Sequence, residues 1–395
     1  MANTYGNGFY SLMEQAGISN KESFDAYLKD VIGANNSTEL KLDGFVWENN
    51  MQLDFDYKQL QIENRVGVIA TYLDKDSEAI PLGTKGFETS EGSIPRQKAR
   101  YIMDEDDYRK YLIMVSQLQI TNGLAKNQAL DILFEKMSGI LDCHKNSMTF
   151  QRDSMISKGG LVLLNTNNPR GLQNITFTAS IPTGNVTTLA GNYRWFTDDE
   201  KTTEGSASDP VKDIKAKVRA LKGKGIINFH IEVDEISFLE DMQHSKWLEA
   251  LGRATNSLIP VTSGGTDIAK GIANAMFDDE IKATFQKICG VPVVYSKSIV
   301  AIEQWNDTTK KLERPQQRSF KANTYVFVPN GNIGTIKTVT PLTPDTTGIY
   351  GSIFNGRGLI KYSYNVKTMV QDWWSELTSL CVPNMSNDMY YLYTK

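Results

Sequence analysis

The chain is poor in the residues that build most catalytic and metal centres. Its 395 residues include three histidines (His144, His230, His244) and three cysteines (Cys143, Cys289, Cys381). The cysteines lie far apart with no C-x-x-C pair, so they read as free thiols in a reducing compartment. The zincin spacing H-E-x-x-H is missing, and so is the G-x-S-x-G nucleophile elbow. Basic charge is not in excess: 42 Lys plus Arg stand against 46 Asp plus Glu, a formal net charge of −4. That argues against a protein that lives on the nucleic-acid backbone. No run approaches the roughly 18 apolar residues of a membrane span. Met1-Ala2-Asn3-Thr4-Tyr5-Gly6 has neither the basic nor the apolar region of a signal peptide. The expectation is a soluble, cytosolic product.

Several local patterns approach known chemistry and fall short of it. Gly264-Gly265-Thr266-Asp267-Ile268-Ala269-Lys270-Gly271 lacks the Gly before the lysine and the Ser/Thr after it, and so fails as a phosphate loop. Gly223-Lys224-Gly225 precedes a strand instead of following one, the wrong order for a dinucleotide fingerprint. His230, Glu232 and Asp234 share one face of a strand and His244 could approach them, but a solvated strand face is the plainer reading than a metal site. Lys212, Lys215, Lys217, Arg219 and Lys222 give one helix a basic face, which solvent explains more simply than phosphate does. Asp104-Glu105-Asp106-Asp107 reads as a helix start with acids at the positive end of its dipole. No catalytic, cofactor or metal residues are assigned.

What the sequence does contain is one long helical pattern. Leu130, Leu133, Phe134, Met137, Ile140, Leu141, Met148, Met155 and Ile156 recur at steps of three and four over 127–157. Lys158-Gly159-Gly160 ends the pattern. About 30 residues make roughly 45 Å of rod. Glu135, Lys136 and Lys145 fall on its outer face.

Around this rod, residues 1–60 form a polar arm with one short helix at Lys21 to Ile32. A strand at Gln61 to Leu73 and a return at Gln97 to Met103 frame a polar, Gly-rich tip, read either as a long two-stranded excursion or as a surface loop. Paired strands are expected at 161–164 and 174–181. Asp209-Pro210 caps a helix whose apolar face is Val211, Ile214, Val218 and Leu221. Further expectations are a strand from Ile226 to Asp234 with Ile227 on its apolar face, and helices at Ser237 to Gly252 and Asp278 to Cys289. Strands follow at 291–303, 325–329, 335–339 and 389–393, and Val366 to Leu380 is left open between helix and irregular chain. The class is α+β without βαβ repetition.

This order of features, with Gly290-Val291-Pro292-Val293-Val294-Tyr295, Tyr325-Val326-Phe327-Val328-Pro329-Asn330-Gly331-Asn332-Ile333-Gly334 and Leu380-Cys381-Val382-Pro383-Asn384, resembles the tailed-bacteriophage major capsid proteins of the lambda capsid protein E type. The resemblance lies in the collinear order from about residue 45 onward. It implies the shell fold of tailed-phage capsids, encapsulins and the herpesvirus capsid floor. Its parts would be an N-terminal arm (1–60), an extended β-hairpin loop (61–103), a peripheral domain (104–224) with spine helix 127–157, an axial domain (225–345) and a C-terminal return (346–395).

The same resemblance implies pentamers and hexamers in an icosahedral head around double-stranded DNA held without sequence specificity. Portal, separate scaffolding and decoration proteins would be partners. The product would be a virion component assembled in the host bacterial cytoplasm, with no enzyme activity, cofactor or membrane. Inter-subunit contact candidates are Lys75, Leu82, Lys85, Phe87, Arg96, Lys98 and Arg100. An encapsulin-like cargo shell and, from another class, a hydrolase using a carboxylate pair are the alternatives.

Overall fold

The structure is a computed structural model that describes residues 40–62, 87–103, 109, 124–163, 175–179, 181–302, 304–342, 349–365, 370–384 and 388–395. The helix expected at Lys21 to Ile32, the acidic helix start at 104–107 and the tip of the 61–103 excursion lie outside the described residues, as do the side chains of Glu135 and Lys136.

In chain order the elements are β1 (Phe45–Trp47), β2 (Asp56–Ile62), β3 (Phe87–Ser93), β4 (Arg96–Met103), α1 (Leu124–Lys158), β5 (Gly160–Leu163), β6 (Ile175–Thr178) and β7 (Val186–Thr188). Then come α2 (Pro210–Gly223), β8 (Phe229–Asp234), α3 (Glu235–Asp241), α4 (Ser245–Thr255), α5 (Ser263–Asn274) and α6 (Asp278–Cys289). The remaining strands are β9 (Val293–Ser296), β10 (Ile299–Ala301), β11 (Gln304–Asn306), β12 (Lys311–Glu313), β13 (Gln316–Arg318), β14 (Thr324–Pro329), β15 (Gly334–Thr338), β16 (Ile349–Ile353), β17 (Gly358–Asn365), β18 (Val370–Pro383) and β19 (Tyr390–Tyr393). Helices and mostly antiparallel sheets are segregated along the chain, an α+β arrangement.

The chain divides into two units. The first comprises 1–57, 92–149 and 335–381. Its sheet runs β1-β15-β18-β17-β16, with β4 also paired to β18. The segment left open in the sequence is thus a 14-residue strand, β18, long enough to pair with both β4 and β15. Alternation along β18 buries Trp373, Ser375 and Leu377. Within this unit, α1 buries Ile140, Leu141, His144 and Met148 at helical spacing. His144 Nε2 lies 2.7 Å from Ser375 Oγ, and Ser379 Oγ lies 2.9 Å from Met148 Sδ. Burial pushes the His144 pKa down to about 4, so the ring is neutral.

The second unit comprises 58–91, 150–334 and 382–395. Its five-stranded sheet runs β7-β19-β14-β8-β9, with β7–β19 and β8–β9 parallel and the two central pairings antiparallel. Between β8 and β9 the chain makes helices α3 to α6, and their apolar faces build the core with α2. Phe285 meets Phe238 edge to face at 5.1 Å and Trp247 at a tilt at 4.8 Å, and Ile214, Val218, Leu221, Leu251 and Tyr325 belong to the same core. Asp209 caps α2 by accepting from the Lys212 amide, as the sequence indicates. Gly159 ends α1 at φ +65°, a backbone state that costs glycine little.

The stretch Gly264 to Gly271, set aside as a phosphate loop, is the body of α5, capped by Thr262, whose side chain accepts from the Gly265 amide. Three expectations are corrected. The helix read at Ser237 to Gly252 is two, because the chain turns out of the helix after Met242, His244 is extended, and the His244 ring caps α4 by accepting from the Lys246 amide. Ile227 precedes β8 and is 70% exposed. The last turns of α1 are buried on every side, including Gln151, Arg152, Asp153, Ser154 and Ser157, so the one-sided pattern of the helix ends near Phe150.

Helices α4 and α5 touch at Gly252, which has no room for a larger residue. A Cβ built on Gly252 would overlap the carbonyl oxygen and Cα of Ala269 on α5. Gly252→Ala is therefore expected to force the helices apart and to cost about 1–3 kcal/mol, despite the better helix propensity of alanine. Chemical denaturation measures it, and an unchanged or raised midpoint would refute the close approach.

Candidate functional site

Four clusters of polar or exposed side chains are candidates for function. The first lies on the sheet of the first unit. Arg96, Lys98 and Arg100 alternate along β4 and so share one face, opposite Asp372, Trp374 and Glu376 of β18. Arg100 makes a two-pronged pair with Asp372, both contacts 2.7 Å. Arg96 and Lys98 reach Glu376 at 3.0 and 3.5 Å. Lys98 and Lys361 each lie 5.7 Å from the Trp374 ring centre. The hydrogen bond to Asp372 holds the Arg100 guanidinium more firmly protonated than usual. All three β4 side chains remain about half exposed.

These are three of the seven contact candidates named from sequence. The return strand expected at Gln97 to Met103 is present as β4, but it pairs with β18, while β3 is the strand that pairs with β2. Hydrophobic alternation could not reveal this, because the partner strand lies some 270 residues later, as the Arg100–Asp372 separation of 272 shows. Lys75, Leu82 and Lys85 lie outside the described residues, as does the side chain of Phe87, the first residue of β3.

The second cluster lies in the second unit, where Arg152, Asp153 and Glu232 are buried, His230 is partly exposed and Asn330 is exposed. Arg152 on α1 bonds Asp153 at 2.9 Å and Glu232 on β8 at 2.8 Å. His230 Nε2 meets the same Glu232 oxygen at 3.0 Å, and its Nδ1 meets Asn330 Oδ1 at 2.7 Å. Ser296 of β9 donates to Asp153 at 2.9 Å. Burial pulls the His230 pKa down, but the hydrogen bonds to Glu232 and Asn330 outweigh it and leave it above the ordinary value. Burial opposes the Glu232 carboxylate too, yet His230 and Arg152 hold its pKa below normal. Asp153 is raised, with burial dominant. The shared strand face of His230 and Glu232 was legible in the sequence. Asp234 goes elsewhere, capping α3 at the Ser237 amide and pairing with Arg318.

The third cluster has the composition of a nucleophile and base, and its protons run the wrong way. His244 Nε2 is 2.9 Å from Ser208 Oγ. The Lys246 amide donates to His244 Nδ1 at 3.1 Å, which leaves the proton on Nε2. That proton is donated to Ser208 Oγ, and Ser208 donates onward to the Gly205 carbonyl at 2.6 Å. A base must accept the serine proton, so this arrangement fastens a loop. His244 never approaches His230. Nearby, Lys201 Nζ is held by Asp241 at 2.6 Å and by the Ser237 carbonyl at 3.2 Å, while Tyr325 donates to Asp241 at 3.0 Å. Burial pushes the Asp241 pKa up to about 6. Among the described residues no group of three or more His, Cys, Asp or Glu could hold a metal, and no helix is long and apolar enough to cross a membrane.

The fourth is the loop 256–262 between α4 and α5. Arg253 donates to the carbonyls of Ile259 and Pro260 at 3.2 and 3.0 Å, and Asn256 Oδ1 accepts from the Leu258 amide at 3.1 Å. Ile259 is buried, yet Leu258 and Val261 are 89% and 91% exposed. Phe277, at the entry to α6, is 78% exposed. Nothing in the sequence pointed to this: two apolar residues in a Pro-containing connection carry no periodicity.

No family model matches the chain. No curated protein matches it. Among solved structures, it is similar to a candidate capsid protein from a prophage of E. coli CFT073, at 10% identity and TM-score 0.47 over 95% of this chain and 98% of that one. It is also similar to the mature capsid of bacteriophage PhiM1 (11% identity, TM-score 0.41, 90% and 86% of the chains) and to a phage-related protein of Bordetella bronchiseptica RB50 (12%, 0.40, 88% and 89%).

Proposed function

We propose that this chain is a major capsid protein of the tailed-phage type, a structural subunit that assembles with copies of itself into a closed head. The observation that carries the reading is the loop 256–262. A connection held by side-chain and backbone hydrogen bonds, yet displaying Leu258 and Val261 to solvent, is a surface built to be covered. The 35-residue helix α1, and the long β18 that gathers β4, β15 and β17, supply the rigid frame such a subunit needs.

On this reading residues 225–345 form the axial domain, and the loop meets its counterparts at a symmetry axis in pentamers and hexamers. Residues 61–103 reach a neighbouring subunit through Lys75, Leu82, Lys85 and Phe87. Arg96, Lys98 and Arg100, whose charges are already met by Asp372 and Glu376, contribute by position more than by free charge. Portal, scaffolding and decoration proteins and the packaged double-stranded DNA are the other partners. The chain has no catalytic role, and the head forms in the host cytoplasm before becoming the virion shell.

Electron microscopy of the expressed chain tests the proposal: round shells or ring-shaped capsomers are expected, and a uniform small particle refutes it. DNA inside purified particles separates a phage head from an encapsulin-like cargo shell. Leu258→Asp combined with Val261→Asp should leave thermal unfolding of the isolated chain within about 0.5 kcal/mol, since both side chains are exposed. The same variant should sediment as a monomer. Deleting 74–92 should leave the isolated chain folded but weaken assembly. If the double variant still forms shells, the loop is not an interface.

A further inference from the structure

One margin of the first unit is apolar and open. Its sheet ends at β1, and past β1 the chain keeps to the edge of β15. The Glu48 amide donates to the Ile336 carbonyl at 3.1 Å. Gln52 is tied twice, its amide donating to the Thr338 carbonyl and its carbonyl accepting from the Thr340 amide, both at 2.8 Å. Leu53, one residue past Gln52, is 83% exposed, and Leu342, two past Thr340, is 79% exposed. Val46, Met51 and Phe55 are exposed beside them. Among the described residues these five are the exposed large apolar side chains of the first unit, and all fall on this margin. Scattered singly they would need no explanation; gathered, they mark a surface that is covered.

The start of the described chain aims at the same place. Asp43 and Gly44 make a tight turn, Gly44 at φ +78°. The Phe45 amide donates to the Leu42 carbonyl at 3.0 Å, and the two residues form an antiparallel bridge. The Trp47 indole donates to the Leu40 carbonyl at 2.7 Å. Residues 40–42 therefore run back along β1, with Leu40 beside Trp47. The chain before Leu40 leaves in the direction that 48–53 take after Trp47. Residues 1–39 lie outside the described residues, and their sequence holds one amphipathic pattern, Phe24, Tyr27, Leu28 and Val31 within Lys21 to Ile32. A helix of about 12 residues is marginal in water and is held by what its apolar face lies on. From Ile32 to Leu40 the chain can span about 26 Å, while Leu53 lies no more than about 22 Å beyond Trp47. The segment can reach the margin of its own subunit.

We propose that residues 21–32 dock as an amphipathic helix on this margin of the same subunit, laying Phe24, Tyr27, Leu28 and Val31 against Met51, Leu53 and Leu342. The tether decides between the subunit's own segment and that of a second copy. A link this short holds the segment at an effective concentration on the order of millimolar, above what a separate chain supplies. The docking belongs to the single chain, so it is tested apart from shell assembly.

Photocrosslinking of the full chain is the first test. With p-benzoylphenylalanine in place of the exposed Leu53, irradiation is expected to join residue 53 to a peptide within 21–32. In a mixture of isotope-labelled and unlabelled chains, the joined peptides are expected to carry the same label. Joined peptides of mixed label would mean that a second copy covers the margin and would overturn the proposal, as would a product mapping outside 21–32. Hydrogen exchange gives an independent reading on unaltered protein. The 24–32 amides are expected to exchange about tenfold or more below their intrinsic rates. Leu53→Asp combined with Leu342→Asp should return them to those rates and leave the amides of β17 unchanged. Unprotected 24–32 amides in the unaltered chain, or protection that survives the double variant, refute the docking.

Discussion

Replacing Arg152 with methionine is expected to remove about 3–5 kcal/mol from the unfolding free energy. The reason is asymmetric. A buried ion pair contributes little when intact, because drawing both partners out of water nearly offsets their attraction. Removing only the guanidinium leaves Asp153 and Glu232 buried, with Ser296 and His230 as their remaining partners. The deficit should shrink as pH falls. Asp153 already has a raised pKa through burial, and losing Arg152 raises it further, so protonation relieves the strain sooner in the folded state. Adding Glu232→Gln to Arg152→Met should recover part of the loss, and the double-mutant cycle measures the coupling. A single-variant loss below about 1 kcal/mol would place the cluster in the range of solvated surface pairs and refute its burial.

Ile140→Pro is expected to cost about 3 kcal/mol or more through the backbone alone. Proline removes one rung of the α1 ladder, and its ring meets the carbonyl four residues earlier. Ile140 is 5% exposed, so packing is lost in addition. Ile140→Val keeps the helix and trims one methylene, and should cost only about 0.5–1.5 kcal/mol. Urea unfolding of the pair separates the two contributions. Equal losses in both would mean that α1 is not continuous at this point.

How much of this was legible depended on whether the cause was local. The rod at 127–157 is visible because apolar residues recur along it and Gly159 stops it, and α1 extends that reading by only a few residues. Asp209-Pro210 and the apolar run of β14 are equally local. The break between α3 and α4 was not visible, because helical periodicity passes smoothly through Met242 and His244, and the reason for the break is a ring that caps the next helix. α5 was hidden by its glycines, which lower helix propensity. Gly265 is needed because a larger residue would meet the Pro260 carbonyl, and Gly271 faces open space. The burial of the polar residues at the end of α1 was not legible, since nothing near Arg152 in sequence announces Glu232, 80 residues away. In the same way, the three cations of β4 could be named as contacts but not given partners.

The pairing of β4 with β18 also bears on how the chain is made. Arg100 and Asp372 are 272 residues apart, so at about 5–20 residues per second β4 leaves the ribosome roughly a quarter of a minute to a minute before its partner exists. For that interval an eight-residue strand waits with its hydrogen-bonding edge unclaimed, the kind of edge that recruits the wrong chain. Arg96, Lys98 and Arg100, evenly spaced along it, make two such waiting strands repel each other. The same cations that later pair with Glu376 and Asp372 would thus keep two nascent copies of the strand apart.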